Sequence, residues 1–290
     1  MTYELALGDR TYSSWSLRGW LLFETFDLPV KTRSARMYSD EFKTLLQDFA
    51  PARLVPAMKT PAGHVVYDTL AMAETLAEVH PDLPFWPSDP AARAFARSLT
   101  AEMHSGFGAL REACSMNLRC AFDGFQPSDA VLADIARIES LWQMARDRFG
   151  ETGPWLFGHW SVADVFYAPI ATRIATFRLP VNETAAAYVA AHLANPAFRR
   201  WRAMGLAENY IQPGYDPDLP ELRWPGPTPL AATPINSGQA ENETCPYSGK
   251  PVTDLMDLEG RVFGFCNPFC RDKTVADPMA WPQFVKIYEK

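Results

Sequence analysis

The hydrophobic and polar positions of the first eighty residues alternate between strand and helix periods. Residues 3–7, Tyr-Glu-Leu-Ala-Leu, form a short apolar run closed by Gly8, which predicts a strand, and residues 16–25 follow with helical spacing. Residues 30–36 predict a second strand and residues 39–49 a second helix, opened by the cap Ser39-Asp40. Two short strands at 55–59 and 64–67 flank Pro61-Ala62-Gly63, which reads as a hairpin turn. A helix over residues 68–79 follows, with Leu70, Ala71, Ala73, Leu76 and Ala77 on its apolar face. The order β-α-β then β-β-α implies one mixed sheet flanked by helices.

From Pro84 the periods lengthen and become helical throughout. Ser88-Asp89-Pro90 is a cap with proline at the first helical position, and the helix it opens is expected to run past Phe107. Ser128-Asp129 opens another, with Val131, Leu132, Ile135, Ile138, Leu141 and Trp142 at helical spacing. Ser161-Val162-Ala163-Asp164 has the form of a capping box, with Phe157 placed to staple against the first turn, and Asn195-Pro196 starts a last short helix. Seven prolines between Pro213 and Pro234 forbid regular helix or central strand and predict an extended strap. Beyond it, a turn at Glu259-Gly260, a strand over 261–265 and a helix over 281–288 mark a small third module. The expected domains are 1–83 (mixed sheet), 84–210 (all-helical), 211–242 (linker) and 243–290 (tail module).

Composition narrows what such a chain does. With 290 residues and 48% hydrophobic content it can bury one large core or two smaller ones. A net charge of −7 excludes the Lys/Arg excess that a phosphate array or an anionic membrane requires, so no nucleic acid and no membrane partner is expected. The N-terminus has no charged segment followed by an unbroken apolar run, and the expected location is the cytoplasm. Five cysteines, three of them after residue 244, look unlike a secreted disulfide framework. They suggest reduced thiols and a metal site.

The sharpest chemical signal is Tyr12-Ser13-Ser14-Trp15-Ser16-Leu17-Arg18, directly behind the first strand. A strand that ends in hydroxyls and feeds a helix places serine Oγ groups beside free backbone N–H donors at a positive helix end, where an anion or thiolate is stabilised. Taken alone, the serines read as helix caps. They do not stand alone: Val55-Pro56 precedes the third strand and Asp68-Thr69 opens the third helix. In this order and spacing the four elements, with Ser161-Val-Ala-Asp164 in the helical part, resemble the serine-type, bacterial-like glutathione S-transferase family over roughly residues 1–210. The resemblance implies a thioredoxin-like N-terminal domain, an all-helical second domain and a homodimer.

It also implies roles, position by position. Ser14, four residues before Arg18, matches the serine whose hydroxyl donates to the glutathione sulfur; Ser13 and Ser16 remain alternatives, and a different serine-type alignment favours Ser13. Val55 before Pro56 would offer its backbone N–H and C=O to the cysteinyl unit, as the family's residue before a cis-proline does. Asp68 and Thr69 match the residues that hold the γ-glutamyl carboxylate and amine. No cysteine occupies the serine turn, which disfavours disulfide exchange. For the second substrate, an apolar or acidic electrophile, Trp15, His104, Arg111, Tyr167 and Arg173 are the candidate pocket residues, with Arg111 or Arg119 able to hold an acidic acceptor. The alternative is a solvated helix face with core aromatic residues and a core histidine.

The tail carries Cys245, Cys266 and Cys270 as C-x20-C-x3-C, with Phe265 before the second and Asp277-Pro278 after the third. Residues 243–290 resemble the small treble-clef-like metal modules of the TRASH and YHS-like families, in which soft thiolates select zinc or copper(I). Those relatives commonly carry a further cysteine where Ser248 stands, so a carboxylate such as Asp277, a water, or nothing completes zinc's set; the alternative is a module that has lost its metal and persists as a hydrophobic mini-domain. Cys114 and Cys120 read as buried thiols. The function expected is a glutathione transferase that presents glutathione as a thiolate to an electrophile or adds it reversibly in an isomerisation, with zinc as the tail's candidate metal. The rival is a non-catalytic scaffold that senses metal or thiols through its tail.

Overall fold

The computed structural model describes residues 2–150 and 152–290. Strands β1 (Tyr3–Leu7), β2 (Val30–Ser34), β3 (Ala57–Lys59) and β4 (Val65–Tyr67) form one mixed sheet in the order β2-β1-β3-β4. β1 runs parallel to β2 and antiparallel to β3, with Leu5 facing Thr32 on one side and Met58 on the other. A central strand must be apolar, and Leu5, Ala6 and Leu7 are fully buried. Helices α1 (Ser14–Glu24), α2 (Asp40–Gln47) and α3 (Thr69–Val79) complete a thioredoxin-like domain. Their caps are those the sequence marks: Ser39 Oγ accepts from Phe42 N at 3.1 Å and Asp68 Oδ1 from Leu70 N at 2.8 Å.

The helical part comprises α4 (Pro90–Ser105), α5 (Gly108–Ala113), the short strand β5 (Ala121–Phe122), α6 (Asp129–Phe149), α7 (Val162–Thr176) and α8 (Glu183–Ala194). One expectation fails here. α4 does not run past Phe107, because Phe107 adopts a left-handed conformation with φ 57° that an α-helix cannot continue, and the chain restarts as α5. No helix among the described residues is long and apolar enough to cross a membrane.

α7 is buried along almost its whole length, and its N-terminus is fixed by Asp164. The Asp164 carboxylate accepts from Leu156 N (3.1 Å), Ser161 N (2.9 Å), Ser161 Oγ (3.1 Å) and Tyr188 Oη (2.8 Å), completing the expected capping box. Next to it, His192 is fully buried against the edges of Trp155, Trp160 and Tyr188, and neither ring nitrogen meets a partner among the described residues.

α9 (Pro196–Glu208) was expected to close the helical domain. It packs instead on α10 (Pro268–Ala276) in a second compact unit made of residues 194–211 and 226–290; residues up to 193 and 212–225 form the first. Within the first unit, strand β6 (Glu221–Leu222) pairs with β5. The second unit holds an antiparallel sheet of β7 (Ala232–Ile235), β8 (Asp254–Leu258) and β9 (Arg261–Phe265), followed by α10, a 3-10 turn at Pro278–Ala280 and α11 (Pro282–Tyr288). β7 contains Pro234, which is tolerated because β7 is an edge strand. The expected Glu259-Gly260 turn joins β8 to β9, with φ 55° and 79°. Met256, Leu258, Phe263, Phe265 and Phe284 are fully buried and form this unit's core.

Burial disfavours the charged form of both Asp164, at the N-terminus of α7, and His192, on α8, and so moves their pKa values in opposite directions. It pushes His192 down to about 3 and Asp164 up to about 6, the latter opposed by the hydrogen bonds just described. A depressed histidine contributes stability above its unfolded value of about 6.5 that is lost as pH falls; a raised carboxylate does the reverse between about 6 and 3.8. The histidine shift is the larger, so acid wins against folding here. His192→Phe, which keeps an aromatic ring in the cage, is expected to narrow its thermal-midpoint gap to the wild type as pH falls from 6.5 to 4; a gap independent of pH would show that His192 is not buried neutral.

Candidate functional site

Two adjoining clefts of the first unit share Trp15, Leu54 and Val55 as lining residues. The first, about 810 Å³, is walled by Val55, Pro56, Tyr67, Asp68, Thr69 and His104. The second, about 600 Å³, is walled by Ser13, Ser14, Met37, Tyr38, Arg111, Met116, Arg173 and Tyr215. Both depend on where α1 sits. Gly19, in the middle of α1, faces Pro56: a Cβ there would lie 2.6 Å from the Pro56 ring, so only glycine lets the helix approach this closely. The Val55–Pro56 peptide is cis.

The three serines of the turn have different fates. Ser13 caps α1, its Oγ accepting from Ser16 N at 3.2 Å and donating to Ser16 Oγ at 2.8 Å. Ser16 is fully buried, and its Oγ accepts from Gly8 N at 2.9 Å, tying the helix to the end of β1. Ser14, the first residue of α1, is half-buried and lies on the second cleft, where its Oγ stands 3.4 Å from Arg173 Nη2. Ser14 alone of the three has a hydroxyl not already used in the hydrogen bonds that hold the turn.

Asp68 and Thr69 sit at the N-terminus of α3. Asp68 has φ 74°, uncommon for a non-glycine residue, and its second oxygen pairs with His104 Nε2 at 3.0 Å. Thr69 is buried and its Oγ1 meets no partner among the described residues, an arrangement that a ligand atom in the cleft would satisfy. His104 presents its ring to the edge of Trp15 at 5.2 Å.

Two arginines, Arg111 and Arg173, line the second cleft beside Glu112, and Arg18 is buried behind them. Arg173 donates from Nη1 to Arg111 O at 3.3 Å and to Cys114 O, and its Nε has no partner. Burial, followed by the charge of Arg111, lowers its pKa to about 10. Arg18, fully buried, donates from Nε to Phe166 O at 3.0 Å and lies 4.6 Å from the Trp15 ring centre. Burial and then Arg173 and Arg111 hold it well below the ordinary arginine value. Arg111 lies 5.0 Å from the same ring, and burial lowers it as well. Guanidinium groups crowded to this extent favour an anion entering the cleft.

Tyr167 does not belong to either cleft. It is fully buried, its hydroxyl donates to Leu99 O at 3.3 Å, its ring meets Trp142 edge-on, and burial pushes its pKa far above the ordinary value. It is a core residue. Conversely, Met37, Tyr38 and Tyr215 line the second cleft and were not among the candidates. Tyr215 belongs to the proline-rich strap, packs edge-on against Tyr12 at 5.4 Å, and has its pKa raised to about 12 by burial and by Tyr38. An aromatic residue inside a strap of prolines was the available signal.

In the second unit, Cys245, Cys266 and Cys270 do converge, their sulfurs all within 4.8 Å of one another. Asp277 does not join them: both its oxygens are held by Arg199, at 2.6 and 2.8 Å. Cys114 and Cys120 are buried as expected, and burial raises Cys114 to about 12.

Residues 12–79 match the family described as glutathione S-transferase, N-terminal domain. A probable maleylacetoacetate isomerase of Caenorhabditis elegans is 28% identical over 194 residues, 63% of this chain and 89% of that protein. Among solved structures, a glutathione transferase homologue from Burkholderia gl BGR1 with bound glutathione has a TM-score of 0.54 at 22% identity, covering 71% of this chain and 99% of that one. A glutathione S-transferase from Rhodospirillum rubrum F11 has a TM-score of 0.54 at 19% identity, covering 75% and 97%. The chain has the fold of the glutathione transferases. Gly19→Ala tests how the fold builds the site: the gain of up to about 1 kcal/mol in helix propensity is outweighed by roughly 1–3 kcal/mol of overpacking against Pro56. A lower thermal midpoint is expected; an unchanged or higher one would show that Pro56 yields freely.

Proposed function

We propose that the protein is a glutathione-dependent enzyme of the serine type, which activates glutathione as a thiolate and adds it to an acidic electrophile, as a transferase or an isomerase. The observation that carries this reading is Ser14, whose hydroxyl faces a cleft at the N-terminus of α1, beside Val55. Glutathione fits the first cleft with its γ-glutamyl end on Asp68, Thr69 and the N-terminus of α3, and its cysteinyl backbone along Val55. Its sulfur would then reach the lining residues that the two clefts share. There Ser14 donates to the sulfur, and the free N–H groups of α1 and the Arg173 charge favour its anionic form. Ser13 and Ser16 support the turn and take no part in the chemistry.

An ordinary thiol has a pKa of about 8.5, so lowering it by 2 units requires roughly 2.7 kcal/mol of preferential stabilisation of the thiolate. One charge-assisted hydrogen bond supplies about 1.5–3 kcal/mol. The helix N-terminus adds about 0.3–1 kcal/mol. The thiolate forms a C–S bond with an electrophilic carbon in the second cleft as a leaving group departs with its bonding pair or, for a conjugated C=C acceptor, as the π pair moves onto the acceptor's carbonyl oxygen as an enolate; in an isomerisation the substrate rotates about the resulting single bond, and the enolate pair returns to reform C=C and expel the thiolate. The acceptor is expected to carry carboxylates, which Arg111 and Arg173 would hold, and the isomerase name of the C. elegans relative is consistent with an acidic substrate. In this reading the protein works in the cytoplasm as a homodimer, as the family resemblance implies.

Ser14→Ala is expected to lower kcat/KM roughly 10- to 100-fold while leaving retention on immobilised glutathione intact, whereas Ser13→Ala loses about 1 kcal/mol of stability through its cap and keeps its rate. Equal activity of Ser14→Ala and wild type across an electrophile panel would remove Ser14 from the mechanism. For the acceptor, Arg111→Met is expected to lower kcat/KM for a carboxylate-bearing electrophile by roughly tenfold or more and to change a neutral one by less than about threefold. Parallel losses on both would show that Arg111 serves only the break between α4 and α5, where it donates to His104 O and Gly106 O.

A further inference from the structure

Part of the wall of the second cleft comes from the proline-rich strap. Tyr215 lies past the stretch that carries the family resemblance, yet it lines the cleft together with Ser14, Arg111 and Arg173. The strap is pinned on both sides of it. Tyr215 N donates to Gln212 O at 3.2 Å, and the backbone of Gln212 is hydrogen-bonded to the Tyr12 hydroxyl. On the other side Asn117, fully buried, donates from Nδ2 to Asp216 Oδ1, and Asp123 N donates to Pro220 O at 2.9 Å just before β6 pairs with β5. A tyrosine side chain has only two torsions, so the Tyr215 ring, packed edge-on against Tyr12, holds its hydroxyl in place.

A second hydroxyl meets it from the sheet side. Tyr38, in the loop between β2 and α2, brings its Oη to 3.4 Å from Tyr215 Oη. Tyr38 is 72% exposed and holds φ 69°, a left-handed conformation unfavourable for a residue with a bulky side chain. Burial does not offset that strain, and neither phenol has another hydrogen bond among the described residues. O–H···O bonds are about 2.7 Å long, so two hydroxyls 3.4 Å apart can both donate to one oxygen placed between them. This is the arrangement of a two-donor oxyanion site. Burial, Tyr38 and Asp9 raise Tyr215 to about 12, so it keeps its proton as a donor at neutral pH. Arg173, whose charge acts on the Tyr215 hydroxyl, also stands 3.4 Å from Ser14 Oγ, so the phenols and the serine border the same space.

Resting on the reading of Ser14 given above, we propose that the hydroxyls of Tyr38 and Tyr215 bind the carbonyl oxygen of a conjugated acceptor and stabilise it as it becomes an enolate. The thiolate forms its C–S bond at the β-carbon, and the π pair moves through the α-carbon onto the carbonyl oxygen. The two phenols donate hydrogen bonds to that oxygen and keep their protons. In an addition the α-carbon then takes a proton from water; in an isomerisation the enolate pair returns and the thiolate leaves. Asn117 acts through Asp216 as a positioning residue, since it holds the strap that carries Tyr215.

The test uses the full-length chain, glutathione and two acceptors that both carry a carboxylate. Addition to benzoylacrylate passes charge to a carbonyl oxygen, whereas para-chloromethylbenzoate expels chloride and passes none. Tyr215→Phe keeps the ring on Tyr12 and removes only the hydroxyl. It is expected to lower kcat/KM for benzoylacrylate at least about tenfold, chiefly in kcat, and to change that for para-chloromethylbenzoate by less than about threefold. Tyr38→Phe is expected to show the same selectivity. Circular dichroism establishes that each variant is folded, and the thiolate pKa of bound glutathione is expected to match the wild type in both. Equal losses on the two acceptors, a loss confined to KM, or an unchanged benzoylacrylate rate in either variant would overturn the proposal and leave the role of Ser14 standing. A wild type that accelerates neither acceptor would overturn the glutathione reading, and this proposal with it.

Discussion

The close approach of α1 to Pro56 is the constraint on which the first unit depends. Gly19 permits it, since any Cβ would overlap the proline ring, and it brings the N-terminus of α1 beside Val55. The other end of the arrangement is Arg18, one residue away, whose guanidinium crosses to Phe166 O in α7 and so fixes α1 against the helical part. Ser16 does the same toward the sheet by accepting from Gly8 N. Three contacts of one short helix, at Ser16, Arg18 and Gly19, thus set the position of the Ser14 hydroxyl, which accepts from Arg173 Nη2 and keeps its own proton to donate. A site held by a helix clamped on three sides can keep a hydrogen-bond donor aimed at a developing anion without reorganisation.

Burying arginines without carboxylate partners is unfavourable, and the first unit does so at Arg18 and Arg173. Backbone carbonyls of Arg111, Cys114 and Phe166 offset part of that unfavourable term, yet Arg18 Nη1 and Arg173 Nε are left without partners among the described residues. Of the two, only Arg173 lines a cleft, where an anion can reach it; Arg18 lies behind the lining. The orphan hydroxyl of Thr69 on the first cleft makes the same point from the other side. The two clefts share Trp15, Leu54 and Val55.

Much of this was legible in the chain because local signals agreed with the global fold. Ser39, Asp68, Asp89, Ser128 and Asn195 all cap helices where the sequence places them, and the Ser161–Asp164 box closes as expected. What failed was tertiary. The left-handed Phe107 that ends α4 leaves no mark in the hydrophobic period, since the apolar spacing continues through it. Tyr167 looked like a pocket residue because it shares α7 with Arg173, but helical phase alone does not say which face meets a cavity. β7, β8 and α10 were missed because β7 lies in the proline-rich strap and Asp254–Leu258 carries an aspartate at its start and another within it, which masks its alternation. Tyr215 returns to the second cleft from 212–225, a stretch whose path nothing local specifies. The cysteine spacing announced a cluster, whereas the loss of Asp277 to Arg199 required the fold.

The claim that everything else in the first unit serves is that a serine at the N-terminus of α1 makes glutathione a thiolate. Titrating the ultraviolet absorbance of the thiolate of enzyme-bound glutathione against pH measures this without any acceptor substrate. An apparent pKa of bound glutathione about 2 units below that of the free thiol, returning toward the free value in Ser14→Ala, is the expected result. Glutathione that binds with the same pKa as in solution, or a lowered pKa that survives removal of the Ser14 hydroxyl, would contradict it.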